Sequence, residues 1–214
     1  MATGLPNLAV LTGAPSGVDV TSARSGSFEH DARRWWALAV LLLVQLMILI
    51  DIVVVQVALP SAQHTLHIPE ASIQWVITAY LLPFGSLLLL GGRIADYTGR
   101  RRAFLIATAC FALASATGGF AQTEAMLFAA RALQGLFAAV MAPALLSMIT
   151  IGFPSGRDRN IAFSLYTVVG AGGAAIGLVL GGLLTRYLSW RWCLLINVPV
   201  SLLVLVGSGL LRES

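Results

Sequence analysis

Charged residues are scarce in this sequence. Only 10% of the 214 residues are Asp, Glu, Lys or Arg, whereas a typical soluble domain carries about 25%. Lysine is absent altogether, so arginine supplies all 13 basic side chains. Because so little polar surface is available to face water, the composition excludes a soluble globular protein and indicates a chain dissolved in lipid.

The side-chain sets of common enzyme and metal sites are also missing. The two cysteines, Cys110 and Cys193, lie in or beside apolar runs, and no Cys/His cluster has the spacing of a zinc site. No nucleophile stands near a candidate base, and His64 and His67 occur singly in a loop. We therefore expect no enzyme, no metal and no cofactor, and we predict two buried free thiols.

The N-terminal region lacks the features of a signal peptide, because no basic segment precedes a long apolar core. Its first 30 residues are instead rich in Gly, Ala, Ser, Thr and Pro. We predict a disordered cytoplasmic tail over residues 1–33. A six-helix transmembrane domain is predicted over residues 34–214.

Long hydrophobic runs dominate the rest of the chain, and 58% of all residues are hydrophobic. Spans of about 20 residues cross a hydrocarbon core as helices, and the runs do not alternate in polarity as barrel strands would. The sequence therefore predicts an all-α membrane protein of six transmembrane helices, the first of them closed by Pro60. The six segments cover approximately residues 35–59, 71–92, 103–121, 125–151, 161–187 and 192–211.

Arginine is distributed unevenly between the two membrane sides. With the N-terminus inside, ten of the 13 arginines are cytoplasmic, Arg186 and Arg191 are outside, and Arg131 lies within the fourth segment. Because basic residues accumulate on the cytoplasmic side, we expect a multi-pass plasma (inner) membrane protein of a prokaryote with both termini in the cytoplasm. The net charge is +4, but the arginines cluster between apolar runs. This placement suits membrane topology and argues against nucleic acid as a partner.

One stretch of sequence recurs after 90 residues. Residues 91–97 (GGRIADY) are echoed by residues 181–187 (GGLLTRY), and the same register pairs Arg101 with Arg191. The two copies lie three spans apart, so they fall on opposite membrane faces. This arrangement predicts an inverted 3+3 repeat, which is typical of secondary transporters. Chance similarity in a Gly- and Leu-rich chain is the alternative.

Two ionisable residues, Asp51 and Arg131, lie inside apolar segments. A charge at the bilayer centre costs at least about 2.5–3.5 kcal/mol on insertion scales. At 1.5 Å per residue the two lie at comparable depths, about 12 and about 9 Å from the outer ends of their spans. We predict that spans 1 and 4 are neighbours and that the two side chains form a pair coupled to protonation. A protonated Asp51 that only packs helices is the alternative.

Other polar residues follow helical spacing in the same two spans. Gln134 and Gly135 share a face with Arg131, which predicts that span 4 turns a polar stripe toward an interior cavity. Gln45 and Gln56 are 11 residues apart and share one face of span 1, while the aspartate lies on another. We therefore expect these glutamines to line a cavity.

Small residues form a stripe on one face of span 5. Small side chains let helix backbones approach closely. The stripe has two interpretations, which are ordinary packing within this chain and contact with a second helical half. Its members are Gly170, Gly173, Ala174, Gly177 and Gly181.

The turn between spans 2 and 3 combines glycine, aspartate and arginine at fixed spacing. Gly99 permits the turn conformation, and Asp96 can pair with Arg100 or Arg101 or cap a partner helix. We predict that Gly92 and these residues form a cytoplasmic gate loop. A simple positive-inside loop would explain the arginines but not the Gly and Asp spacing.

These motifs resemble signatures of the major facilitator superfamily. Residues 92–101 resemble its loop between spans 2 and 3, and residues 131–135 its span-4 signature, whose Arg131 counterpart is linked to proton coupling. Residues 173–182 resemble the span-5 antiporter signature, with Leu178 where the family usually has proline. Gly135, Gly173, Gly177 and Gly181 are thereby implied to serve helix packing.

Three further stretches are similar to the drug:proton antiporter group with fourteen spans. They are residues 51–60 in span 1, residues 75–82 in span 2 and residues 190–199 at the start of span 6. The resemblance implies one half of a major facilitator fold and proton-coupled efflux of lipophilic drugs by alternating access. It also implies a cavity lined by spans 1, 2, 4 and 5, with Tyr80 among its residues, and the proton gradient as the energy source.

Family members carry about twice as many spans as this sequence. A truncated gene product, a gene fragment and a natural half-transporter with a second six-span chain are the three interpretations that stay open. Import of a small solute with protons and a non-transporting assembly partner are the functional alternatives.

Overall fold

The computed structural model describes residues 20–208, and their side chains from residue 33 onward. Seven α-helices and one 3₁₀ turn, Glu70–Ser72, make up this part of the chain, with no strand in it. The helices are α1 (Val20–Leu66), α2 (Trp75–Thr98), α3 (Arg100–Gly119), α4 (Glu124–Gly152), α5 (Arg157–Tyr187), α6 (Trp192–Leu195) and α7 (Asn197–Gly207).

The predicted all-α membrane fold is confirmed. Five of the described helices, α1 to α5, are long and apolar enough to cross a membrane, and residues 192–207 supply the sixth apolar segment. That segment is divided between α6 and α7 at Ile196. The α1 helix begins at Val20, inside the tail predicted over residues 1–33, and residues 1–19 and 209–214 lie outside the described residues.

The prediction that Pro60 closes the first span is wrong, because α1 continues through it to Leu66. Proline removes one main-chain hydrogen bond, and a membrane helix tolerates this where neighbouring groups or local adjustment compensate. Pro60 is exposed, so its ring displaces no neighbouring helix. Pro83 and Pro143 likewise lie inside α2 and α4.

Turn chemistry sets the helix ends. Gly99, with φ 92°, separates α2 from α3, and Gly156, with φ 83°, precedes α5. These left-handed conformations suit glycine, which has no Cβ. At the start of α4 the Thr123 side chain accepts a hydrogen bond from the backbone N–H of Met126 at 3.3 Å, which is an N-cap.

The inverted repeat is visible in the packing. The bundle consists of two units of three spans, α1–α3 and α4–α7, and the second helix of each unit packs on the first helix of the other. A Cβ on Gly91 of α2 would lie 2.2 Å from the carbonyl oxygen of Ala139 in α4. Its repeat partner Gly181 in α5 lies against α1, where a Cβ would be 3.2 Å from the Cα of Val54. Glycines one repeat apart therefore make equivalent close helix contacts.

Two repeat-related arginines cap the last helix of the opposite unit. Arg191, just before α6, donates from Nη1 to the carbonyl oxygens of Gly119 at 3.1 Å and Ala121 at 2.5 Å. Arg101, at the start of α3, donates from Nη2 to the carbonyl oxygen of Ser208 at 3.1 Å. A cation near a helix C-terminus offsets the dipole and satisfies free carbonyls. One cap at each end of the bundle therefore joins the third span to the sixth.

Replacing Arg191 with Ala is expected to lower the melting temperature of the detergent-solubilised chain by at least about 3 °C. The substitution removes both charged hydrogen bonds to the end of α3. Arg186→Ala is the control, because Arg186 is exposed and lies near the same turn. Equal melting temperatures for the two variants would contradict a capping role for Arg191.

Candidate functional site

A buried ion pair joins α1 to α4. The carboxylate of Asp51 has 0% exposed surface and Arg131 has 1%. Arg131 donates from Nη1 to Oδ2 of Asp51 at 2.7 Å. The structure thus makes spans 1 and 4 neighbours and brings together the two charges that the depth argument paired.

Two side-chain amides complete the coordination of the carboxylate. Oδ1 of Asp51 accepts from Nδ2 of Asn197 at 2.6 Å and from Nε2 of Gln134 at 3.1 Å. The Gln134 amide also donates to Oγ of Ser115 at 2.7 Å. Side chains of α4 and α7 therefore meet at the carboxylate of α1, and Ser115 of α3 joins the network through the Gln134 amide. All of these residues are buried.

Arg131 has further partners, and they are neutral. Its Nη1 also donates to Oε1 of Gln134 at 2.9 Å, and its Nε donates to the carbonyl oxygen of Val76 at 3.3 Å. The guanidinium carbon lies 4.3 Å from the centre of the Tyr80 ring, and that ring stacks on Phe84 with centroids 5.9 Å apart. The second helix, α2, therefore holds the cation through a carbonyl and an aromatic face.

The network lies between two apolar cores. One cluster includes Leu38, Phe104 and Ile149, and the other includes Val54 and Trp190. A buried ion pair is weak evidence for stability, since apolar residues of equal volume often serve as well, whereas losing one partner costs about 3–5 kcal/mol. A carboxylate with convergent donors in such a place is a candidate functional group.

The predicted cavity residues divide into two groups. Tyr80 and Gln134 have no exposed surface and belong to the buried network. Gln45 is half-buried and Gln56 is exposed. Neither of these two glutamines makes a hydrogen bond to the network within the described residues, so the structure does not bring all four together.

Sequence reasoning missed two members of the network, Ser115 and Asn197. Asn197 carried a signal, because an amide is unusual in an apolar run. Ser115 carried none, because serine among alanines is equally typical of helix packing.

Four of the five gate-loop residues line a surface depression of about 350 Å³ at the α2–α3 turn, and they are Asp96, Gly99, Arg100 and Arg101. Asp96 pairs with Arg100, which donates from Nε to Oδ1 at 3.1 Å. A Cβ on Gly92 would lie in ordinary contact, 3.6 Å from the Pro143 side chain. Arg101 turns instead to the end of α7.

The glycine stripe of α5 packs within this chain. A Cβ added to Gly173, Gly177 or Gly181 would lie 3.1–3.2 Å from side-chain atoms of α1. These three glycines therefore do not face a second helical half, because α1 occupies their face. Gly135 makes the tightest approach in α4, since its added Cβ would lie 2.1 Å from the carbonyl oxygen of Tyr80.

Both cysteines are free, with Cys193 buried and Cys110 only half-buried. Cys110 therefore departs from the predicted burial. Over residues 20–208 no group of three or more His, Cys, Asp or Glu side chains is placed to hold a metal ion.

Comparison with known proteins assigns the architecture to a family. Residues 41–213 match the family model described as Major Facilitator Superfamily. The chain belongs to the major facilitator superfamily. It is accordingly a multi-pass membrane protein, and its two three-helix units form half of a major facilitator fold.

Curated relatives in this superfamily are named for antibiotic resistance and export. The puromycin resistance protein of Streptomyces alboniger is 55% identical over 181 residues, which are 85% of this chain and 36% of that protein. The cephamycin export protein of Amycolatopsis lactamdurans is 42% identical, over 86% of this chain and 38% of that protein. The chain spans little more than a third of the length of these relatives.

Solved transporters of the superfamily share the fold at low sequence identity. A proton:xylose symporter bound to 6-bromo-6-deoxy-D-glucose gives a TM-score of 0.75 at 15% identity, over 86% of this chain and 46% of that one. A peptide transporter in complex with alafosfalin gives 0.71 at 17% identity, over 80% of this chain and 37% of that one. Both matches cover less than half of the solved transporter.

Proposed function

We propose that this chain is the N-terminal six-span half of a proton-coupled exporter of drugs or other lipophilic small molecules. The observation that carries the proposal is the buried Asp51–Arg131 pair between α1 and α4. The export activity follows the names of the relatives, which confer puromycin resistance or export cephamycin. The energy source in the proposal is the proton gradient, with no bound cofactor.

Proton binding at Asp51 would change the network that joins the helices. The ionised carboxylate accepts from three donors, on Arg131, Gln134 and Asn197. A protonated carboxyl group is itself a donor at one oxygen and has less acceptor capacity there, so the hydrogen bonds from these donors weaken or rearrange. The attraction between α1 and α4 falls at the same time, because the charge pair is lost.

Alternating access would use this change to shift one unit of helices against the other. A proton entering from outside would neutralise Asp51 in one conformation, and its release inside would restore the pair in the other. The population of the two conformations then follows the protonation state. Drug would occupy a cavity beside spans 1, 2, 4 and 5, where apolar walls discriminate weakly between lipophilic compounds.

The proposal also includes an orientation and a partner. Both termini lie in the cytoplasm, because ten of the 13 arginines then fall on the inner side. A second six-span half completes the transporter, either as the continuation of the same reading frame or as another chain. The relatives' greater length supports this, since the matched region is 36–38% of theirs.

Drug resistance in a sensitive bacterial host tests the proposal. We would express the chain alone and together with the remaining, unmatched part of the Streptomyces alboniger puromycin resistance protein, and measure the inhibitory concentration of puromycin. We expect resistance in the combined strain, and its loss when a protonophore collapses the gradient. Resistance that survives the protonophore would overturn proton coupling, and accumulation of puromycin in the cells would overturn export in favour of import.

A further inference from the structure

If Asp51 takes up a proton, as the proposed function requires, Arg131 loses its counter-charge. The guanidinium is 1% exposed and stays charged, because arginine does not deprotonate in proteins. With a neutral carboxyl beside it, the cation would be buried without a counter-charge. Something else in the site must then hold it.

The other groups that face the pair are neutral or distant from the cation. Helix α3 contributes the hydroxyl of Ser115, and α7 contributes the amide of Asn197, which donates to the carboxylate. From α6 the thiol of Cys193 is the titratable group near Asp51. On α2 the partners are Tyr80 and the carbonyl of Val76. Among the described residues Asp51 is thus the one buried anion within hydrogen-bond distance of Arg131.

The aromatic face of Tyr80 is placed to attract the cation. The guanidinium carbon lies 4.3 Å from the ring centre, well inside the roughly 6 Å over which an aromatic quadrupole attracts a cation, and the attraction is largest in a desolvated site. The Tyr80 hydroxyl is buried and has no hydrogen-bond partner among the described residues. The ring, rather than the hydroxyl, is therefore the part of Tyr80 that acts on Arg131.

Backbone geometry fixes this placement. One turn after Arg131, Gly135 lets the carbonyl of Tyr80 approach α4 so closely that an added Cβ would lie 2.1 Å from its oxygen. The ring also stacks on Phe84 at an interplanar angle of 22°. The close backbone contact at Gly135 and the stacking on Phe84 thus both restrict the position of the ring.

We propose that Tyr80 is the positioning residue that retains Arg131 through its ring face while Asp51 is neutral, and so sets the pH at which the network takes up a proton. This rests on the proposed function for its link to efflux. The ring attracts the cation in both states, but it matters more once the carboxylate charge is gone. Weakening the attraction between the ring and Arg131 therefore disfavours the state with a neutral carboxyl group, and proton uptake moves to lower pH.

A fluorination series at position 80 tests this with only a small change in the size of the side chain. Tyr80→Phe is the reference, and phenylalanines with increasing fluorine content replace it by nonsense suppression, because fluorine withdraws the negative charge of the ring face. Each form is made in the parent chain and in an Asp51→Asn background, which imitates the neutral carboxyl. The melting temperature of the purified chain in detergent is the first readout.

We expect each added fluorine to lower the melting temperature more in the Asp51→Asn background than in the parent. In efflux by the combined strain, we expect the pH midpoint to move toward acid by about half a unit to one unit across the series. Equal fluorine effects in both backgrounds would overturn the role of Tyr80, whether or not the chain transports. Absent or pH-independent efflux in the parent would instead overturn the proposed function, since the melting comparison needs no transport.

Discussion

In the strain that also expresses the remaining part of the puromycin resistance protein, Asp51→Asn is expected to reduce puromycin resistance to the level of the host without this chain. The helix bundle is expected still to fold. Asparagine keeps the size of the side chain and one acceptor oxygen, but it does not ionise, so no proton binds or leaves. Arg131 loses its counter-charge, which in a buried pair costs about 3–5 kcal/mol. The carbonyl of Val76, the amide of Gln134 and the ring of Tyr80 offset part of that cost.

The matched control is Asp158→Asn. Asp158 lies in the first turn of α5 and pairs with Arg34, with its side chain 45% exposed, so the same chemical change is made outside the buried network. The inhibitory concentration of puromycin and the folded yield from membranes are measured for both variants. Gradient-driven resistance that persists in Asp51→Asn, at normal yield, would remove the ion pair from the coupling mechanism.

Gly91→Ala is expected to prevent correct packing of α2 on α4. The added methyl group would lie 2.2 Å from the carbonyl oxygen of Ala139 and 2.8 Å from its carbon. Because these are backbone atoms in a helix, no side-chain rotation relieves the clash, and the helices must separate. Overpacking costs about 1–3 kcal/mol and occasionally more, and separation here would also displace Tyr80 from Arg131.

Gly85→Ala provides the control within the same helix. A Cβ at Gly85 meets nothing within 4 Å, so alanine is expected to leave stability unchanged or raise it by about 0.5–1 kcal/mol through backbone entropy. Size-exclusion profiles and melting temperatures in detergent report the difference. If Gly91→Ala melts at or above the temperature of Gly85→Ala, the close contact between α2 and α4 is not what the structure indicates.

The charged part of the site could be predicted from sequence because charge in lipid has so few acceptable surroundings. Asp51 and Arg131 each carry a high cost of burial, and equal depth left each as the obvious partner of the other. The neutral members of the network cost less to bury, so burial alone does not determine their partners. Asn197 could be placed at the carboxylate, and Ser115 at the Gln134 amide, only once the packing of α3 and α7 was known.

Helix packing shows the same limit. The sequence pattern revealed that one face of α5 is built for close approach, but it did not reveal that α1 fills that face. The length and position of the apolar runs predicted the spans, whereas Pro60 suggested an end that the helix does not have. A pattern on one helix indicates that a contact exists, and only the fold determines the neighbour.

The hydrogen bond from Asn197 to Asp51 has a consequence for synthesis at the ribosome, because it joins residues far apart in the sequence. The two residues are 146 positions apart, whereas Arg131 follows Asp51 by 80. At roughly 5–20 residues per second the asparagine emerges roughly 7–30 s after the aspartate. During insertion the acid therefore meets its arginine first, and the sixth span closes the shell last. Until that moment the carboxylate lacks one of its three donors, so the arrival of the sixth span is the step that completes its hydrogen bonds.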